Sequence, residues 1–177
     1  YMLHAGSNAA FTAVNDLLKA GITVYRTGTA TAGFPAGSFY VPAGIKSRSI
    51  LQEQTRTSAL VATGIQRTPS GLTKVTSQRI ALWDVYGGSM PSGWIRWLAE
   101  QYHFQADVVF PKTIDQGNLR SKYDVLILVG GAVPALKNEN SEWGWNRRDP
   151  KPEEIPAEFH DKLGKITAEK SIPELRK

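Results

Sequence analysis

The stretch from Arg79 to Pro134, RIALWDVYGGSMPSGWIRWLAEQYHFQADVVFPKTIDQGNLRSKYDVLILVGGAVP, constrains the fold of this chain most. Its first apolar run, Ile80-Ala-Leu-Trp83, stops at a Gly-Gly-Ser turn, and an amphipathic helical pattern follows. Two further apolar runs come next, Ala106 to Phe110 and Val125 to Val129, the last closing on Gly130-Gly131. Strand, glycine turn, helix, strand, connection and strand, in that order, predict an α/β fold with a mainly parallel sheet. Parallel neighbours need long crossovers, and these segments supply them. Ligands of such sheets gather in the loops at the carboxyl ends of the strands.

The remaining segments extend the alternation. Asn8 to Ala20 reads as a helix capped by Ser7 or Asn8, with Phe11, Val14, Leu17 and Leu18 on one face and Gly21 placed to end it. Ile22–Tyr25 and Ser38–Val41 read as short strands, with a Gly/Thr/Ala-rich loop between them. Ser47 to Ala62 reads as a helix and Thr68 to Gln78 as a polar connection. Gln78 to Val85 is a strand, after which Ser89 caps a helix with Pro91 in its first turn. Trp94, Ile95, Trp97, Leu98 and Tyr102 form one apolar stripe, predicted to pack on the sheet. The run Tyr123–Val129 predicts a central parallel strand buried on both faces.

One α/β domain over residues 1–177 is expected, with a flanking part at 1–45, a core block at 78–134, an insertion or flap at 135–156 and the start of a further part at 157–177. Ile172 to Lys177 reads as the opening of a helix with no strand after it, so the native chain is expected to run on and supply the last strands.

Composition narrows the class. Apolar residues make up 41% and charged residues 21%, which suits a globular domain. No apolar run approaches the roughly 20 residues of a membrane span. The chain has no cysteine, so its residues form no disulfide, thiolate metal site or cysteine nucleophile. Residues 41–80 hold Lys46, Arg48, Arg56, Arg67, Lys74 and Arg79 against Glu53, which accounts for the whole net charge of +5. No aromatic residue lies between Tyr40 and Trp83, so this basic segment reads as a solvated face and not as a nucleic-acid surface.

The chemistry-bearing candidates sit at strand ends. The turn Gly87-Gly88-Ser89-Met-Pro-Ser92 precedes a helix N-terminus, whose free N–H groups and dipole suit an anion or carboxylate. Ser89 reads first as a helix cap and next as a ligand contact. A nucleophile's role would need a small residue at Pro91 and a histidine within reach. Gly130-Gly131 ends the most apolar strand, as a tight turn or a ligand loop. Asp84 lies at the carboxyl end of its strand and Asp124 at the opposite end of a neighbour, so Asp84 is the better site residue and the two are no carboxylate pair. His4, His103 and His160 show no metal-ligand spacing, and no metal or catalytic residue is assigned.

LWDVYGGSMPSGWIRWLAEQYHF followed by DVVFPKTIDQGNLRSKYDVLILVGGAVP resembles the C-terminal region of bacterial zinc-carboxypeptidase-family proteins. That region is similar to the flavodoxin-like, class I glutamine amidotransferase-like fold. The flanking SNAAFTAVNDLLKAGITVYRTG, GSFYVP and LGKITAEKSIPELRK extend the likeness over most of the chain. The resemblance implies a periplasmic or secreted bacterial protein whose zinc and catalytic residues belong to a preceding peptidase domain, so this chain needs no cofactor of its own. It implies a non-catalytic accessory role, packing on the peptidase domain of the same chain or holding a small molecule or peptide. The alternative is a small hydrolase or amidotransferase-like enzyme built on the same strand-end loops. No nucleic acid and no membrane span are expected.

Overall fold

The computed structural model describes residues 1–133 and 150–177. The chain divides into two compact units, Tyr1–Ser77 with Glu100–Phe104, and Gln78–Ala99 with Gln105–Lys177.

The first unit holds β1 (Met2–Leu3), α1 (Asn8–Lys19), β2 (Val24–Thr27), β3 (Phe39–Tyr40), α2 (Ile45–Thr57), β4 (Ala62–Thr63) and β5 (Leu72–Val75). Its sheet runs β4-β1-β3-β2-β5, and every pairing in it is antiparallel. The parallel pattern of the later block therefore does not extend here. α1 ends as its sequence predicts. Gly21 takes φ +76°, its N–H donates to the Leu18 carbonyl (2.9 Å), and the Ile22 N–H donates to the Leu17 carbonyl (2.9 Å). This is the paired C-terminal bonding that glycine allows at no steric cost. The buried face of α1 is Ala10, Ala13, Val14 and Leu17, whereas Phe11 is exposed and Leu18 only packs at the margin. α2 starts two residues before the predicted Ser47 and stops at Thr57; Ser58 turns extended, its hydroxyl donating to the Gln54 carbonyl (2.7 Å). Leu60 still reaches the core, from outside the helix.

The second unit holds β6 (Ile80–Trp83), all but the last two residues of α3 (Met90–Gln101), β7 (Ala106–Val109), α4 (Pro111–Asp115), α5 (Leu119–Lys122), β8 (Val125–Ile127) and α6 (Ser171–Leu175), with 3-10 turns at Pro152–Glu154 and Ala157–Lys162. Its three-stranded sheet is parallel, in the order β7-β6-β8. Register sets Ile80 against Ala106 on one side and Val125 on the other. The described residues thus make a mixed α/β protein with one parallel and one antiparallel sheet. Trp83, Ile114, Ala132 and Ile166 form the core of this unit, flanked by Leu119, Leu126, Leu128, Val129, Ile172 and Leu175.

Two expectations are corrected here. Among the described residues the central strand is β6, with Ala81 and Leu82 fully buried; β8 is an edge there, and its Val125 is 39% exposed. A continuous apolar run marks a strand suited to burial, but its place depends on what pairs with it, and among the described residues only β6 does. Second, the α3 stripe does not form core. Trp94 is 60% exposed, Trp97 49%, and Leu98 is exposed as well. An amphipathic pattern says that one face seeks cover without saying what covers it. The Trp143–Trp145 flap falls outside the described residues.

Candidate functional site

The carboxyl edge of the parallel sheet gathers the residues expected to form a site. β6 leads directly into Asp84, whose N–H still donates to the Val109 carbonyl (3.0 Å), so the sheet fixes the start of the loop. The Asp84 carboxylate then turns back. Its Oδ1 accepts the N–H groups of Val85 and Ser89, both at 2.8 Å. Gly88 N–H donates to the Val85 carbonyl (2.8 Å). Gly87 and Gly88 sit at φ +79° and +76°, a conformation that side chains disfavour, which explains the glycine pair. The Ser89 hydroxyl accepts the Ser92 N–H (3.3 Å), so Ser89 caps α3 as its position predicts.

The anion at the α3 N-terminus is accordingly the chain's own Asp84 carboxylate. It meets the helix dipole and consumes the Ser89 N–H. Ser92 is 1% exposed and does not line the loop surface. Register sets Leu82 against Ile127, so the turn after β8 leaves the sheet on the same edge as the Asp84 loop. In that turn Gly131 takes φ +88°, and Ala132 N–H donates to the Val129 carbonyl (3.0 Å). Asp84, Gly87, Gly88, Ser89, Gly130 and Gly131 thus share one edge.

Sequence reading missed the aromatic residues gathered beside them. Tyr86 packs on Phe159 with ring centroids 5.9 Å apart. The Lys162 ammonium lies 5.0 Å from the Phe159 ring centre and 5.5 Å from that of Phe110. Such cation–ring contacts hold a lysine stem against an apolar surface. The available signal was local: Tyr86 and Phe110 each follow the end of a parallel strand. Phe159 and Lys162 arrive from about fifty residues further on, and nothing local announces them.

The opposite edge carries a different device. Arg79 donates from Nη2 to Asp124 Oδ1 (2.8 Å) and from Nε to Oδ2 (3.1 Å), and its backbone N–H also reaches Oδ2 (2.9 Å). These bonds hold the Asp124 carboxyl down at about 2, the Arg79 side-chain contact first and its backbone N–H second. A depressed carboxylate stabilises the fold fully above its unfolded value, and the contribution fades as pH falls from about 4 towards 2. Carboxyl carbon shifts should give Asp124 a midpoint near 2 in the intact chain and an ordinary aspartate value in Arg79→Ala. An unchanged midpoint in the variant would remove Arg79 as the cause. Asp84 and Asp124 lie at opposite ends of neighbouring strands, as expected.

The three histidines are engaged elsewhere. His4 Nδ1 accepts the Gly6 N–H (2.9 Å), His103 Nδ1 bonds Asp16 Oδ1 (2.6 Å), and His160 Nε2 meets the carbonyls of Pro152 (2.8 Å) and Ile155 (3.3 Å). Among the described residues no group of three His, Asp or Glu side chains is placed to hold a metal ion. No helix among them is long and apolar enough to cross a membrane. No family model, curated protein or solved structure significantly matches the chain.

Proposed function

We propose that this chain is a non-catalytic accessory region of a bacterial zinc-carboxypeptidase-like protein, exported to the periplasm or beyond. In this reading its second unit is a flavodoxin-like, amidotransferase-related module that packs on the peptidase domain. One observation carries it: the exposed face of α3. Met90, Trp94, Trp97 and Leu98 stand at i, i+4, i+7 and i+8, a single helical face, and all four are exposed. Trp94 and Trp97 meet edge to face with centroids 5.8 Å apart, so the two rings form one surface. Contiguous exposed aromatic surface of this kind marks interfaces, where tryptophan is a frequent anchor.

The strand-end loops favour the same reading over a hydrolase. The Ser89 hydroxyl is spent on capping α3, and each histidine bonds another part of the chain. Zinc and peptide-bond chemistry are assigned to the preceding domain.

The test compares the native gene product with the isolated chain. The native mass should be several times 19.4 kDa, and Trp94 and Trp97 should be protected from hydroxyl-radical oxidation there but reactive in the isolated chain. A native mass close to 19.4 kDa would overturn the parent protein. Equal reactivity in the two samples would overturn the docking face. Stoichiometric zinc in the isolated chain would overturn the non-catalytic role.

A further inference from the structure

A second surface, independent of the α3 face, lies along the outer edge of β8. Val125 N–H donates to the Arg79 carbonyl, so Val125 and Ile127 face β6. Alternation then turns the N–H and C=O groups of Leu126 outward, where no strand among the described residues pairs with them. Exposed edges are usually blunted by lysine, proline or a bulge. Val-Leu-Ile-Leu-Val carries none of these, so its composition suits a strand paired on both sides.

An open groove of about 520 Å³ meets the start of this edge at Val125 and Leu126. Its apolar floor comes from Leu119, Val125, Leu126 and Leu175. The charges along it are not equally free. Asp124 is taken by Arg79 (2.8 Å), and Glu174 by Lys177 (2.7 Å). Arg120 and Arg176 are exposed and have no ion pair among the described residues. The leftover charge of the groove is therefore positive and built from guanidinium forks, which match carboxylates.

We propose that this groove binds an acidic peptide segment in extended form, which adds a strand to β8 and sets its carboxylates on Arg120 and Arg176. Main-chain bonds to Leu126 start the pairing, the apolar floor takes alternate side chains, and the arginines select for charge. The occupant is a peptide and not a second copy, because the free charge at the groove is of one sign, whereas an edge facing its own copy would bring like charges together.

The probe is a fluorescein-labelled peptide of about eight alternating valine and glutamate residues, an ordinary strand length. Anisotropy titration should show saturable binding, with no binding of the valine–lysine counterpart. The double charge reversal Arg120→Glu/Arg176→Glu should weaken binding about tenfold or more, as loss of two charge-assisted contacts requires. Reversal of two exposed arginines that do not line the groove, Arg48→Glu/Arg67→Glu, changes net charge equally and should leave binding within about twofold, since neither can make the charge-assisted contacts. N-methylation of alternate peptide amides should abolish binding, because it removes strand donors without touching the protein. Equal loss in both double variants would reduce the effect to net charge and overturn the groove. Indifference to N-methylation would overturn strand addition. A peptide-free sample that scatters light as a dimer, and reverts to monomer in Arg120→Glu/Arg176→Glu, would replace the peptide by a second copy.

Discussion

Leu17→Ala should destabilise the first unit by about 3 kcal/mol, within the usual range for a leucine truncated in a closed core. Leu17 is fully buried and belongs to one cluster with Ala10, Ala13, Val14, Val24, Phe39, Val41, Leu51 and Leu60. Truncation removes its methyl groups from that cluster and leaves a void. The neighbours come from α1, two strands and the α2 side, so no single shift closes it. Leu18→Ala is the informative contrast. Leu18 is chemically identical and adjacent, but it only packs against the margin of the cluster, where solvent can fill the space it leaves. Its expected cost is about half as large. Amide exchange protection in β2 and β3 reads the effect within this unit alone, which matters because a chain of two compact units need not unfold in one step. Leu18→Ala costing as much as Leu17→Ala would mean that the described burial of α1 is wrong.

The second large effect belongs to the loop at the carboxyl edge of the parallel sheet. Asp84→Ala should cost about 2 kcal/mol, since one carboxylate oxygen serves two partly buried N–H donors, those of Val85 and Ser89. Without it, both donors need water, and the positive-φ glycines that follow lose the contact that orders them. Asp84→Asn separates two contributions. An amide oxygen can still accept from both donors, but it brings no charge to the α3 N-terminus, so the loss should fall to the charge–dipole part, about 1 kcal/mol or less. Exchange rates of the Val85 and Ser89 amides should rise strongly in the alanine variant and modestly in the asparagine variant. Unchanged protection in Asp84→Ala would show that the loop holds itself without the carboxylate. The same pair of variants bears on ligand chemistry. An external anion at the α3 N-terminus must compete with Asp84 and meet its charge, so anion binding that appears only in Asp84→Ala would identify the aspartate as an internal occupant of that place.

Local signals in the chain suffice where the structure solves a local problem. Gly21 closes α1 because a helix terminus needs a left-handed residue one step past its end, and that need is written in a single residue. Ser89 caps α3 and Pro91 enters its first turn for equally local reasons. The parallel pairing of β6, β7 and β8 was legible because crossover segments of the right length separate three apolar runs. The opposed placement of Asp84 and Asp124 follows from that pairing.

Other features had no such signature. Met2–Leu3 and Ala62–Thr63 are strands of two residues, too short to show any alternation, and β5 lies within a stretch whose polar residues read as a connection. Their antiparallel sheet exists because partners distant in sequence supply the hydrogen bonds. The Tyr86, Phe110, Phe159 and Lys162 cluster is similarly a product of convergence.

By itself, the sequence determined where α1 ends and α3 begins, which runs become parallel strands, and which loops leave the carboxyl edge, because backbone geometry and hydrogen-bond closure over a few residues decide those things. Only the tertiary structure decided that, among the described residues, β6 is the middle strand and β8 an edge, and that Trp94 and Trp97 of α3 are exposed. Apolar patterning records the demand for cover, while burial depends on which distant surface meets that demand.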